Sequence, residues 1–107
     1  MPSSYESYGL VVLEALACGV PVVATATGCV PDLITDDVNG TVVQATVEGL
    51  SGGLARVLAL DPGRTRSAAR GTAEEHSWAR VARRYLDVLT GLHQGDAATV
   101  DLDGRVR

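Results

Sequence analysis

Two carboxylates, Glu6 and Glu14, stand eight positions apart, one in a Ser/Tyr/Gly-rich turn and the other inside an apolar run. From Leu10 to Cys18 the chain reads LVVLEALAC, in which Glu14 is the one residue that is not apolar. A helix of that composition reads as buried on both faces. A carboxylate in it needs an explanation, because taking its charge out of water costs several kcal/mol or forces it to bind a proton. Glu14 can pair with an arginine such as Arg80 or Arg84, reach water at the edge of the core, or serve a ligand. Glu6 adds weight to the ligand. The two carboxylates flank a helix N-terminus where Tyr8, Gly9, Leu10 and Val11 offer free N–H groups and the positive end of the helix dipole, a site suited to phosphate. Gly9, which has no Cβ, lets a ligand come close to the backbone.

The elements that must position these residues follow from pattern. Ser7 is the expected N-cap of a first helix at about Tyr8 to Cys18, and Gly19 closes it. Pro21 to Ala24 is a short apolar run that reads as a strand buried on both faces and internal to a sheet. Thr25 to Val30 is then the loop at its C-terminal end, where ligands bind in open α/β sheets. Gly28 in that loop is either an ordinary turn glycine or a point of close approach.

A one-turn helix at Pro31 to Ile34, a turn at Asp36 to Gly40 and a second strand at Thr41 to Val43 come next. A helix at Val47 to Leu60 carries the stripe Val47, Leu50, Leu54, Val57 and Leu58. Gly49, Gly52 and Gly53 weaken it by up to about 1 kcal/mol each relative to alanine. Asp61-Pro62-Gly63 breaks the chain before a polar helix at Arg64 to Glu75. Ser77 caps a final helix with the buried stripe Trp78, Val81, Ala82, Tyr85, Leu89 and Leu92, in which Trp78 is a core anchor. His93 to Arg107 lacks periodicity and reads as a disordered tail.

The 107 residues suffice for one domain, and 46% of them are hydrophobic. With four aromatic residues and no Phe, the core must be built from Val, Leu and Ala, as suits helices on a parallel sheet. The net charge of −4 argues against a nucleic-acid partner, and Arg80, Arg83 and Arg84 read as a solvated helix face. No apolar run is long enough to span a bilayer and the N-terminus has no signal-peptide pattern, so membrane contact is not indicated. Cys18 and Cys29 read as free thiols of a cytoplasmic protein, and neither the cysteines nor His76 and His93 have metal-ligand spacing.

Glu6 to Glu14 (ESYGLVVLE) and the following ALACGVPVVAT resemble the E-x7-E signature and next strand of family 4 glycosyltransferases. The match continues through Gly28, Pro31-Asp32-Leu33-Ile34 and Asn39-Gly40, returns at Ser77-Trp78, and covers roughly residues 2–92. The resemblance implies an α/β fold, the C-terminal portion of a Rossmann-like GT-B donor-binding domain with flanking helices. It implies transfer of a sugar from a nucleotide-sugar donor to an acceptor hydroxyl with retention, the nucleotide-sugar being a substrate and no cofactor being required. Glu6, as the catalytic residue, would contact the donor sugar and stabilise charge near the reacting centre. The donor-binding set would be Glu6, Ser7, Tyr8, Gly9, Leu10, Val11, Glu14 and Gly28. In it the backbone amides of Tyr8 to Val11 hold sugar and diphosphate, and Glu14 accepts ribose hydroxyls.

Three departures accompany the match. The family's Gly-Gly pair is Gly28-Cys29, its following Glu is Asp32, and its upstream basic residues, which neutralise the diphosphate, match nothing in this chain. The missing N-terminal half of such an enzyme would be a partner, and residues 1–92 would form part of a domain. The alternative is a non-catalytic nucleotide-sugar-binding half, or a remnant that needs a complementing chain. A glycosidase built on Glu6 and Glu14 is disfavoured, because eight helical residues advance about 12 Å, whereas paired glycosidase carboxylates lie roughly 5 to 9.5 Å apart. A Rossmann dehydrogenase lacks its GxGxxG.

Overall fold

Two short strands set the layers of the molecule. The structure is a computed structural model that describes residues 1–93. Its elements run α1 (Leu10–Ala17), β1 (Val22–Thr25), α2 (Val30–Leu33), β2 (Gly40–Val43), α3 (Val47–Leu58), α4 (Pro62–Glu75) and α5 (Trp78–His93). The strands are parallel, in register from Val22 opposite Gly40 to Thr25 opposite Val43. Successive side chains point to opposite faces of a strand. Accordingly Val22, Ala24 and Val42 join a core with Val12 and Leu16 of α1, Val30 and Leu33 of α2, and Ala69 of α4. On the other face Val23, Thr41 and Val43 meet Gly53 of α3. Helices thus cover both faces of a parallel sheet, the α/β architecture expected. The chain divides into two compact units, Met1–Glu75 and a second that begins at His76.

β1 is bordered on both edges. β2 lies on one edge; on the other the Met1 ammonium donates to the Val23 carbonyl at 2.6 Å, and the Thr25 N–H donates to the Met1 carbonyl at 3.2 Å. Such an exchange with residues on either side of Ala24 is the pattern of a parallel ladder. The Thr25 hydroxyl also donates to the Ser3 carbonyl.

α1 is shorter than expected, and Gly9 rather than Ser7 precedes it, with φ of 99° and no side-chain cap. Only glycine adopts that backbone without strain, and it turns the chain sharply into the helix. Gly19 closes α1 as expected. Its N–H bonds the Leu16 carbonyl and the Val20 N–H the Ala15 carbonyl, a Schellman closure with Gly19 at φ 74°. α1 is not buried on both faces: Val12 and Leu16 are buried, while Leu10 and Val11 are 58% and 65% exposed. Cys18, expected in a buried helix, is exposed as well.

Three further expectations are corrected. Of the stripe on α3, Leu50 and Val57 are half-buried, while Val47 and Leu54 are exposed and Leu58 is 83% exposed. α3 comes closest to the sheet at Gly53, between Leu50 and Val57, where a Cβ would stand 2.7 Å from Val43 Cγ1 and 2.8 Å from Val23 Cγ1. The chain does break between α3 and α4 as expected, but α4 begins at Pro62 and not at Arg64, the Asp61 carboxylate accepting the Arg64 N–H at 2.8 Å and Pro62 taking the first helical position. In α5 the expected buried stripe stands open, with Trp78 85% exposed and Tyr85, Ala82 and Leu89 also exposed. The amphipathic pattern specifies that a helix has an apolar side, and nothing about which surface receives it. Val81 is half-buried, and the side chain of Leu92 lies outside the described residues, as does the expected tail beyond His93.

Asn39, read as a turn residue, is buried and joins three segments. Its amide donates to the Leu33 carbonyl and the Thr72 hydroxyl, and its carbonyl oxygen accepts the Thr35 N–H. Gly40 beside it is required by close approach, since a Cβ would strike the Val22 carbonyl.

Candidate functional site

The Met1 ladder segment and β1 run in the same direction, so the turn after the first and the loop after the second emerge at the same, C-terminal edge of the sheet. That edge is where ligands bind in open α/β folds. The structure presses the turn and the loop together. The Cys29 N–H donates to the Tyr8 carbonyl at 2.9 Å. A Cβ on Gly28 would lie 3.0 Å from the Tyr8 carbonyl oxygen, 3.1 Å from that of Glu6 and 3.2 Å from Glu6 Cβ. Gly28, at φ 56°, is therefore the point where the loop seats on the Glu6 to Tyr8 turn. Gly9 rests against Val30, whose Cγ2 would lie 3.7 Å from a Cβ there.

Glu6, Tyr8, Gly9 and Gly28 are thus brought together, with Glu6 half-buried and Ser7 and Tyr8 exposed. Of the four amides expected at the helix end, Leu10 and Val11 belong to the first turn of α1, while Tyr8 and Gly9 precede it. The first turn closes with the Val12 N–H on the Gly9 carbonyl at 2.9 Å. Helix geometry supplies the Leu10 and Val11 N–H groups with no intrahelical acceptor, and no side chain caps them. α1 therefore presents an open positive end beside Glu6.

Glu14 lies on the same side of α1 as Leu10 and Val11, one turn further on, and is exposed with them. It meets water, which resolves the desolvation problem. Thr27, which sequence reasoning passed over, has a buried hydroxyl without a hydrogen-bond partner among the described residues, in the same loop as Gly28. Its one legible signal was a hydroxyl residue next to a glycine after an apolar strand. Among the described residues no cluster of His, Cys, Asp and Glu could hold a metal ion.

Residues 1–75 match the family described as glycosyl transferases group 1. The chain belongs to that family. The match spans the unit that contains the whole buried core and the site. This group 1 glycosyltransferase chain is 46% identical over 87 residues to a D-inositol 3-phosphate glycosyltransferase of Mycolicibacterium vanbaalenii, covering 80% of this chain and 19% of that protein. It is 38% identical over 100 residues to a GDP-mannose-dependent alpha-(1-6)-phosphatidylinositol monomannoside mannosyltransferase of Mycolicibacterium smegmatis, covering 87% of this chain and 25% of that one. Sucrose-phosphate synthase from Thermosynechococcus elongatus superposes with a TM-score of 0.75 at 29% identity, over 88% of this chain and 25% of that structure. The α/β unit thus has the GT-B-like fold of a glycosyltransferase. The chain spans about a fifth to a quarter of the length of these relatives. No helix among the described residues is long and apolar enough to cross a membrane.

Proposed function

We propose that this chain is the donor-side portion of a retaining, family 4 glycosyltransferase that moves a sugar from a nucleotide-sugar to an acceptor hydroxyl. The observation that carries the reading is the uncapped N-terminal end of α1, held beside Glu6 by the Gly28 and Cys29 contacts. The Leu10 and Val11 amides, with those of Tyr8 and Gly9 in the preceding turn, hold the sugar and diphosphate and stabilise charge on the leaving group without reorganising. Glu6 contacts the donor sugar near the reacting carbon and is the catalytic residue. Glu14 accepts hydrogen bonds from two ribose hydroxyls. Ser7 and Gly28 complete the set, Gly28 by keeping the turn in place. Support for a nucleotide-sugar donor comes from one relative, which is named as GDP-mannose-dependent. The reaction belongs in the cytoplasm, on the ground of two unpaired cysteines.

A second reading rests on the share of the relatives that the chain covers: it is a nucleotide-sugar-binding half that transfers nothing until a complementing N-terminal half supplies the acceptor site and the basic residues. The test is heteronuclear NMR of the chain titrated with UDP, GDP and their sugar derivatives, alongside Glu14→Ala. The expected result is a shift of the Gly9, Leu10 and Val11 amides with one nucleotide, absent in the variant. Dispersed spectra that no nucleotide moves would overturn the donor site in this chain, and a collapsed spectrum would favour the second reading.

A further inference from the structure

Asn39 is the one asparagine of the chain, and a glycine follows it. Asparagine-glycine is the pair most prone to spontaneous deamidation, because no Cβ shields the glycine nitrogen from the asparagine side chain. In an open chain the Gly40 nitrogen attacks Asn39 Cγ. The new C–N bond closes a succinimide ring, the Cγ–Nδ2 bond breaks, and the proton lost from the Gly40 nitrogen leaves with Nδ2 as ammonia. Water then opens the ring and returns a proton to the Gly40 nitrogen. Attack at Cγ gives aspartate, and attack at the main-chain carbonyl gives isoaspartate.

The fold opposes the movements that this closure needs. Asn39 is 1% exposed, so water is kept from the ring-opening step. Nδ2, the leaving nitrogen, donates to the Leu33 carbonyl and the Thr72 hydroxyl, both at 2.9 Å, and Oδ1 accepts the Thr35 N–H at 2.8 Å. Turning Cγ onto the Gly40 nitrogen disrupts these bonds. The main chain is pinned on both sides as well. The Asn39 N–H bonds the Thr35 carbonyl, the Asn39 carbonyl accepts the Val22 N–H, and the Gly40 carbonyl accepts the Asp37 N–H. Gly40 itself stands opposite Val22, with no room even for a Cβ.

We propose that Asn39-Gly40 is a modification site which the native fold holds shut and unfolding opens, so that a transient loss of structure becomes a permanent one. An aspartate at this position has no N–H for the Leu33 carbonyl and brings a charge into a buried place. The clamp that joins α2, the turn before β2 and α4 is thereby lost. Isoaspartate also lengthens the main chain by one carbon at the start of β2, and so disturbs the register in which Gly40 to Val43 pair with β1. The inference does not depend on which reaction the candidate site performs.

The test follows deamidation at Asn39 by fragmentation mass spectrometry at mildly alkaline pH, with the chain native in one arm and held in guanidinium chloride in the other. The expected result is a rate at least about a hundredfold lower in the native chain, because the reaction then waits on an opening of the buried segment. Thr72→Val, which takes one partner from Nδ2, should raise the native rate by up to about tenfold and leave the denatured rate unchanged. Thr72→Ser, which keeps the hydroxyl, should stay near the wild-type rate. Chain converted in denaturant and then diluted should fail to regain the dispersed NMR spectrum that briefly denatured chain regains. Equal native and denatured rates would overturn the proposal. So would a native rate that Thr72→Val leaves unchanged, a Thr72→Ser rate as fast as that of Thr72→Val, or converted chain that refolds as well as unconverted chain.

Discussion

Asn39 lies far along the chain from the proposed donor site, and the fold leans on it nonetheless. It is buried and holds α2, the turn before β2 and α4 through its amide. Asn39→Leu should cost about 1–3 kcal/mol, because the Leu33 carbonyl and Thr35 N–H lose their partner away from water, and a denaturant melt would show it. Glu14 is the opposite case. Being exposed, its change to Gln should leave stability within about 0.5 kcal/mol, while the nucleotide-induced shifts at Leu10 and Val11 weaken. Loss of both together would make Glu14 a structural residue. Asp37 supplies a pH test. Two hydrogen bonds from Arg56, at 3.0 and 2.7 Å, hold its carboxyl below its ordinary value of 3.8. The unfolded chain therefore binds that proton at higher pH than the folded one. The pair's stabilisation is present above the ordinary carboxylate value and lost as pH falls through the lower folded value. Both groups are exposed, so the effect is small and screened by salt. Wild type and Asp37→Asn should differ in thermal midpoint at neutral pH and converge in acid.

Helices and strands show where pattern misleads. α3 has an apolar stripe that reads as its buried side, yet its closest contact with the sheet is at Gly53. A glycine in a helix interior is ordinarily a weakness, and alanine would stabilise the helix by up to about 1 kcal/mol. Gly52, with open space around its Cβ position, should show that gain on change to Ala. Gly53→Ala should instead lose about 1–3 kcal/mol, since the added methyl meets Val43 and Val23 on a short strand pair that has little room to yield. Paired thermal melts of the two variants distinguish the roles, and a gain in both would mean that α3 does not rest on this face. α4 makes the same point with small residues: Thr65 and Ala69 are its buried positions, and its sequence reads as polar throughout.

As a whole, the molecule contains one edge of the proposed donor site and a sheet that is short on its own. Two-stranded sheets are marginal, and here the shortage is met by helices on both faces and by the Met1 ladder. Purified chain given a nucleotide-sugar and an acceptor should transfer no sugar, since the diphosphate-neutralising basic residues of the family match nothing in it. Measurable transfer would show that the Glu6 turn and the α1 end suffice. In α5 the exposed Trp78, Tyr85 and Leu89 leave an apolar side uncovered among the described residues.

Local chemistry was readable directly. Gly19 as a helix stop, the apolar strand at Val22, the one-turn helix after Cys29 and the helix that starts just after Glu6 and carries Glu14 each depend on a few neighbouring residues, so order and type of element followed from pattern. What depends on distant partners did not. Whether Leu10 and Val11 are covered, whether Gly53 is a flaw or a contact, and whether Asn39 is a turn residue or a buried clamp are decided by which surface arrives from elsewhere in the chain. Burial and close approach are pairwise properties, and only the tertiary structure brings the second member of each pair into view.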